Sequence, residues 1–354
     1  MAPTVDRTSR QEADSTLALP RRNQRDDFPE RICATGGAGV WAGLAVLARL
    51  GMLRMGGIEL LFVLAPLVVV PLGMALGRVM SSSRPSLTVR QNSSRAAINW
   101  CIARMQPVGA VTAVIALLLP PGPAGGLLAC TWLFVALLIA VSGVAGSISS
   151  AMESRSVPLI WEWALLMAKI DLGVGAAWFV ISRLGIRPFG MPEPIGLLTA
   201  VHFHFAGFAT AMIAAAASQF AASRTAGRWL RRLIPLVVAT PFMVAVGFVT
   251  FPAVKMGAAL LFAISVAGLA VCLRSLARTM TDRTPRVLLQ VAAVSVFAAM
   301  VLAGVYAIAD FAGSDGLTIP QMARTHGVLN CVGFCLLALL GWLVEMDRVA
   351  ERPE

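Results

Sequence analysis

The sequence predicts an all-α membrane protein, a polytopic bundle of about ten transmembrane helices with both termini in the cytoplasm. Its composition, its long apolar runs and the distribution of its basic residues each support this prediction. Of the 354 residues, 58% are hydrophobic and only 13% are charged, and the mean hydropathy is +0.78. A soluble domain of this length needs many more polar residues to cover its surface.

Apolar runs of about 20 residues recur along the chain, and each is long enough to cross a hydrocarbon core of roughly 30 Å. Lipid offers the backbone no hydrogen-bond partners, so a spanning run must be helical or belong to a closed barrel. Barrel strands alternate in polarity, whereas these runs are continuously apolar. The predicted spans lie at roughly 33–52, 57–78, 105–119, 125–147, 159–182, 195–219, 233–251, 256–276, 288–310 and 323–344.

The two ends of the chain are polar. Residues 1–30 are mixed in charge and show no helical periodicity, so they are predicted to form a disordered cytoplasmic tail. No apolar core follows a short basic start, as it would in a signal peptide. The transmembrane domain is predicted over 31–346, and a short cytoplasmic tail over 347–354.

The basic residues orient the spans. With ten spans, alternate loops lie on the same side as both termini, and that side holds 22 of the 29 lysines and arginines; six lie on the other side, and Lys169 lies within a span. Positive residues mark the cytoplasmic side. We therefore predict a multi-pass protein of the bacterial cytoplasmic membrane. The net charge of +11 follows from this bias, and no basic soluble face interleaved with aromatic residues indicates a nucleic-acid partner.

Ionisable residues inside spans are costly and are therefore functional candidates. The fifth span carries one near its middle, and the sixth, ninth and tenth spans carry others in their predicted outer halves. The candidates for catalysis are Asp310, His202, His204, His326, Asn330 and Asp171.

The first two histidines cannot serve the same site on a regular helix. Residues two apart point about 200° away from each other, because each step turns about 100°. We therefore predict that one of His202 and His204 faces a cavity together with His326 and Asp310. The other is predicted to hold a neighbouring helix.

Two short motifs carry a family resemblance. VHFHFAGF at 201–208, together with THGVLNCVGF at 325–334, resembles the YndJ-like family of bacterial membrane proteins. The resemblance covers mainly the second half of the chain. It implies a multi-span membrane protein in which His202, His204, His326 and Asn330 are the family's marked positions, and it implies no particular chemistry.

The favoured hypothesis is an integral membrane enzyme that acts on an apolar isoprenoid-type lipid or another prenylated small molecule. It would cyclise or isomerise the substrate by acid/base chemistry without a cofactor, as a membrane terpene cyclase does. A buried carboxyl group can remain protonated and serve as the acid, a role open to Asp310 or Asp171. The chain shows no glycine-rich phosphate loop and no aspartate-rich diphosphate motif. The residues predicted to line the substrate site are Phe203, Phe205, Tyr306 and Trp178.

Three other hypotheses remain open. Haem or a transition metal would be bound by His326 and one histidine of the sixth span, with Asp310 completing a mixed ligand set. A proton-coupled transporter would use Lys169, Asp171 and the histidines as a relay, although no internal repeat is visible in the sequence. Finally, the polar groups would only bridge helices, each pair contributing about 1 kcal/mol.

The topology prediction can be tested with reporter fusions. Fusions after Arg95 and after Arg228 should both report a cytoplasmic position, and a fusion after Pro121 should report an external one, because the basic residues alternate in this way. Reporters at Arg95 and Arg228 on opposite sides of the membrane would show that the number of spans between them is wrong.

Overall fold

A computed structural model describes residues 28–82, 93–154, 159–221, 225–314 and 316–351. Within these ranges ten helices are long and apolar enough to cross a membrane, and there is no strand. The predicted all-α bundle of ten spans is thus confirmed, while its orientation stays a prediction. Residues 1–27 and 352–354, which make up most of the predicted tails, lie outside the described residues.

The spans are numbered α1 to α10 along the chain, and three of them contain π-helical segments. The bounds are α1 Phe28–Arg49; α2 Gly57–Leu64, Ala65–Val69 (π) and Val70–Ser82; α3 Ser93–Leu118; α4 Pro123–Ser154; α5 Ile160–Leu184; α6 Ile195–His202, Phe203–Ala209 (π) and Thr210–Phe220; α7 Thr225–Val249; α8 Pro252–Arg278; α9 Arg283–Ala312; and α10 Ile319–Met322, Ala323–Gly327 (π), Leu329–Leu336 (π) and Leu337–Glu351.

Several helices are longer than the apolar runs that predicted them. The third span was expected to begin at residue 105, yet α3 begins at Ser93, and α10 continues to Glu351. Hydropathy detects only the part of a helix that lies in the hydrocarbon. Arginine ends an apolar run without ending a helix, because it is a good helix former and its long side chain reaches the membrane surface.

The centre of the bundle is formed by α2 and α6. In the most apolar stretch of α2, 89% of the residues are buried, and in that of α6, 83%. The corresponding share in α1 is 11%. Helices α3, α4 and α5 pack in sequence on one side, and α7, α8 and α9 on the other. Helix α6 lies between α5 and α7, while α10 packs against α2, α6 and α9. The last helix of the chain therefore completes the centre.

Helix α2 is irregular where it contacts its neighbours. Its π segment Ala65–Val69 contains Pro66, whose carbonyl accepts a hydrogen bond of 2.8 Å from Nε2 of Gln106 on α3. On another side, Gly37 of α1 lies directly against the carbonyl of Leu67, and a Cβ atom at that position would overlap the oxygen. Glycine at position 37 therefore permits the close approach of α1 to α2.

Ion pairs join four helices at the end of the bundle that is predicted to be cytoplasmic. The guanidinium of Arg31 in α1 makes two hydrogen bonds, of 2.7 and 2.8 Å, to the carboxylate of Asp347 in α10. Arg78 of α2 pairs with Glu30 of α1. Arg348 of α10 pairs with Asp282, the residue just before α9.

Candidate functional site

A cavity of about 450 Å³ lies at the opposite end of the bundle, where α2, α6, α8 and α10 begin and α7 and α9 end. This volume is within the range of roughly 300–1,000 Å³ that is typical of small-molecule sites. Its walls are mainly apolar, and the larger apolar side chains among them include Leu61, Leu198, Phe203, Phe205, Phe248, Phe262, Met300 and Met322.

Most of the residues that the sequence singled out meet in this cavity. The structure brings together seven of the ten, and they are His202, His326, Asn330, Tyr306, Asp310, Phe203 and Phe205. The other three, which are His204, Asp171 and Trp178, do not line it. The predicted set is thus divided between the cavity and the packed interior of the bundle.

The two histidines of the cavity use the same ring nitrogen, Nδ1, to contact the backbone. Nδ1 of His202 lies 2.7 Å from the carbonyl oxygen of Leu198, and Nδ1 of His326 lies 2.9 Å from that of Ala299 on α9. A carbonyl oxygen can only accept, so each Nδ1 must carry the hydrogen. In the neutral rings Nε2 therefore keeps its lone pair. The two side chains are near enough to interact electrostatically.

Each of these histidines lies two turns into its helix. His202 is seven residues after Ile195, the first residue of α6, and His326 is seven residues after Ile319, the first of α10. At 1.5 Å per residue, both lie about 10 Å along the helix from the loop end. The rings thus reach the cavity from two helices at a similar depth.

Asn330 contributes a further acceptor. It lies four residues after His326, its side chain is only 7% exposed, and it lines the same cavity. Its Oδ1 atom is buried and has no hydrogen-bond partner among the described residues. An unpaired buried oxygen is costly, and this one belongs to a side chain in the wall of the cavity.

An ion pair lies at the loop end of the cavity. Nζ of Lys255, in the first turn of α8, is 2.7 Å from Oδ2 of Asp310, in the last turn of α9. The same Nζ lies 5.0 Å from the centre of the Phe248 ring. The expected role of Asp310 as a free acid in an apolar site does not match this pairing.

Lys255 is a site residue that the sequence does not reveal, because a lysine just before an apolar run is typical of a loop between spans. A signal was nevertheless present. All but two of the 29 basic residues are arginine, and the two lysines lie at positions 169 and 255. A chain that uses arginine at 27 basic positions places one of its two lysines at the cavity.

His204 faces away from the cavity, into the bundle. Its Nε2 accepts a hydrogen bond of 3.0 Å from Nε1 of Trp132 on α4, and its Nδ1 lies 2.7 Å from the carbonyl oxygen of Ala200. The ring of Phe62 on α2 contacts it edge-on, with the ring centres 5.1 Å apart. Both nitrogens are engaged, so this histidine joins α6 to α4.

Asp171 and Trp178 lie on α5, which packs against a face of α6 turned away from the cavity. Asp171 is fully buried and lies against Gly207, where an added Cβ atom would be 2.7 Å from the aspartate Cβ. Trp178 is partly buried and packs on the apolar core. Hydropathy and spacing do not reveal which helices are neighbours, and for this reason the sequence grouped these residues with the others.

Comparison with known proteins gives one family and one curated relative. The family described as "YndJ-like protein" matches residues 60–334, from α2 into α10, so the match extends well beyond the two motifs and leaves out α1. The chain is 26% identical over 270 residues to the "uncharacterized membrane protein YndJ" of Bacillus subtilis (strain 168). This alignment covers 72% of the chain and 45% of that relative, less than half its length. No solved structure matches the chain.

The different surroundings of the two histidines of α6 predict different effects on stability. His204→Ala should lower the free energy of unfolding in detergent by about 1–2 kcal/mol, because the buried Nε1 of Trp132 loses its partner. Trp132→Phe, which removes the same hydrogen bond, should have an effect of similar size, and the two should not add. His202→Ala should leave the stability nearly unchanged. Equal destabilisation by His202→Ala and His204→Ala would contradict this assignment.

Proposed function

The chain belongs to the YndJ-like family of bacterial multi-pass membrane proteins, and we propose that it is an enzyme that isomerises an apolar lipid of the isoprenoid type. The observation that carries the proposal is the pair of imidazoles in an otherwise apolar cavity. His202 and His326 both direct Nδ1 to a backbone carbonyl, which leaves Nε2 of each ring for a bound molecule.

The cavity suits a molecule with a long apolar part and one polar end. Apolar side chains from six helices form most of its lining, with Phe203 and Phe205 on its α6 wall. Its charged groups, Lys255 and Asp310, lie together at the loop end. A lipid would place its chain along the apolar walls and its polar end beside this ion pair. The imidazoles would then meet the substrate below that polar end.

The proposed reaction is a proton shift. One imidazole, neutral, takes a proton at Nε2 from a substrate carbon next to a carbonyl group or its conjugated double bond, and the electron pair of the broken C–H bond moves into the conjugated system of the substrate. The other imidazole, protonated, returns a proton at the far end of the shifted double bond. The reaction requires the pair to hold one extra proton, because one ring must be neutral while the other is protonated. No electron is gained or lost.

Isomerisation fits these residues better than cyclisation does. Protonating an isolated alkene needs an acid stronger than an imidazolium, and the sequence hypothesis assigned that step to a neutral carboxyl group. Asp310 is paired with Lys255, and Asp171 does not reach the cavity. Histidine, by contrast, is suited to moving a proton beside a carbonyl group near neutral pH.

Solvent deuterium tests the proposal directly. Purified protein incubated in heavy water with bacterial isoprenoid quinones, whose ring carbonyls activate the neighbouring side-chain carbon, should place deuterium into one of these lipids, detected by mass spectrometry. His202→Ala and His326→Ala should each slow incorporation by about 100-fold or more, because each removes a proton carrier. His204→Gln, two residues away on the other face of α6, is the matched control and should retain the rate. Failure of the wild-type protein to label any of these lipids would overturn the proposal.

A second candidate function is supported by the acceptor atoms of the cavity. The side chains of His202, His326 and Asn330 line the same space, and a set of two nitrogen ligands and one oxygen ligand suits a first-row transition metal. Histidine ligands characteristically donate their other ring N–H to a backbone carbonyl, as both rings do. The described residues contain no group of three His, Cys, Asp or Glu placed to hold a metal, so Asn330 or a bound molecule would supply the third ligand.

Metal analysis separates the two candidates. If the cavity is a metal site, protein purified from cells grown with zinc, iron and copper should contain about one metal ion per chain. His202→Ala and His326→Ala should lose that metal, whereas His204→Gln should keep it. If the wild-type protein exchanges deuterium without bound metal, only the isomerase proposal remains. If the wild-type protein and the three variants contain equal amounts of metal, the metal site is excluded.

A further inference from the structure

Asp171 is a titratable group that the proposed reaction does not use. It lies eleven residues after Ile160, the first residue of α5, and so roughly 16 Å along that helix. Its side chain is fully buried, and neither Oδ1 nor Oδ2 has a hydrogen-bond partner among the described residues. A carboxylate there would lose its hydration and receive no compensating partner.

The surface that Asp171 faces is the π segment of α6. A Cβ atom added to Gly207 would lie 2.7 Å from Cβ and 2.9 Å from Oδ2 of the aspartate, so the two helices are in direct contact there. One turn further along α5, an added Cβ atom at Gly175 would lie 2.7 Å from Nδ1 of His204. The carboxyl group is thus enclosed between two closely packed helices.

The titratable groups around this contact do not neutralise Asp171. On α6 the nearest is His204, whose two nitrogens are engaged by Ala200 and Trp132. Lys169 on α5 itself points towards α4, where its side chain packs beside Gly143. In α4 the described side chains at this depth are apolar or small, and the arginines of α7 lie within its first two turns, at positions 228, 231 and 232.

We propose that Asp171 is a proton-binding site, a neutral carboxylic acid on which the close packing of α5 against the π segment depends. The ligand is a proton rather than a metal cation, because hard cations require several oxygen ligands. Among the described residues no metal-binding group of His, Cys, Asp or Glu includes this carboxyl group.

Helix α6 connects Asp171 to the cavity. The π segment Phe203–Ala209 touches Asp171 at Gly207 and carries Phe203 and Phe205 on the cavity wall, directly after His202. Loss of the proton places a charge between α5 and α6, which is accommodated only if water enters or the helices separate. Either change displaces the segment that follows His202.

Infrared spectroscopy on protein labelled with 13C at the aspartate side-chain carboxyl tests the protonation state. At neutral pH the wild-type protein should show the C=O stretching band of a protonated aspartic acid. Asp171→Asn should lack this band. Asp310→Asn should keep it and is the matched control, because Asp310 is paired with Lys255. A wild-type protein without the band, or a band that Asp171→Asn retains, would overturn the proposal.

If Asp171→Asn does not fold, the wild-type spectrum decides the question alone. The label assigns the band to an aspartate, and among the described residues Asp171 is the fully buried one.

Thermal unfolding gives an independent readout. The folded protein holds a proton that the unfolded chain releases, so the melting temperature should fall as the pH rises from neutral to alkaline. In Asp171→Asn this dependence should be reduced, and an equal dependence in both proteins would contradict the site.

Discussion

The burial of α6 on nearly every side is the constraint on which the candidate site depends. A polar side chain in such a position needs a hydrogen-bond partner close by. His202 and His204 each direct Nδ1 to the carbonyl four residues earlier, and Thr210 donates to the carbonyl of Phe205. The helix therefore satisfies one nitrogen of each imidazole by itself, and the second nitrogen is available beyond the helix.

The Nε2 atoms of His202 and His204 have different surroundings. In His204 this nitrogen binds Trp132 and holds α4, whereas His202 lines the cavity with its ring. A motif with two similar histidines thus produces one residue that stabilises packing and one that is free to bind or react. The separation follows from the turn of the helix between them.

The irregular backbone lies where the interior of the protein supports it. The π segments of α2, α6 and α10 contact one another at the centre of the bundle, away from lipid that could not satisfy freed carbonyl groups. Gln106 donates to Pro66, and Sγ of Cys335 lies 3.8 Å from the carbonyl oxygen of Phe205. Such segments are frequent at functional sites, and those of α6 and α10 border the cavity.

Much of this arrangement could be predicted from single helices. Apolar length determined the ten spans, and the turn per residue separated His202 from His204. Contacts between helices could not be predicted, because hydropathy carries no information about which helices are neighbours. Lys255 therefore remained unnoticed as the partner of Asp310, and the position of Asp171 against Gly207 became clear only from the packing of α5 on α6.

The ion pair between Arg31 and Asp347 has a consequence for how the protein is made. It joins the first span to the last, and α10 also completes the contacts of α2 and α6. During synthesis, α1 and α2 enter the membrane long before their partners in α10 exist. The earlier helices therefore remain in the bilayer without these contacts, and the cavity is completed only after α10 has been synthesised.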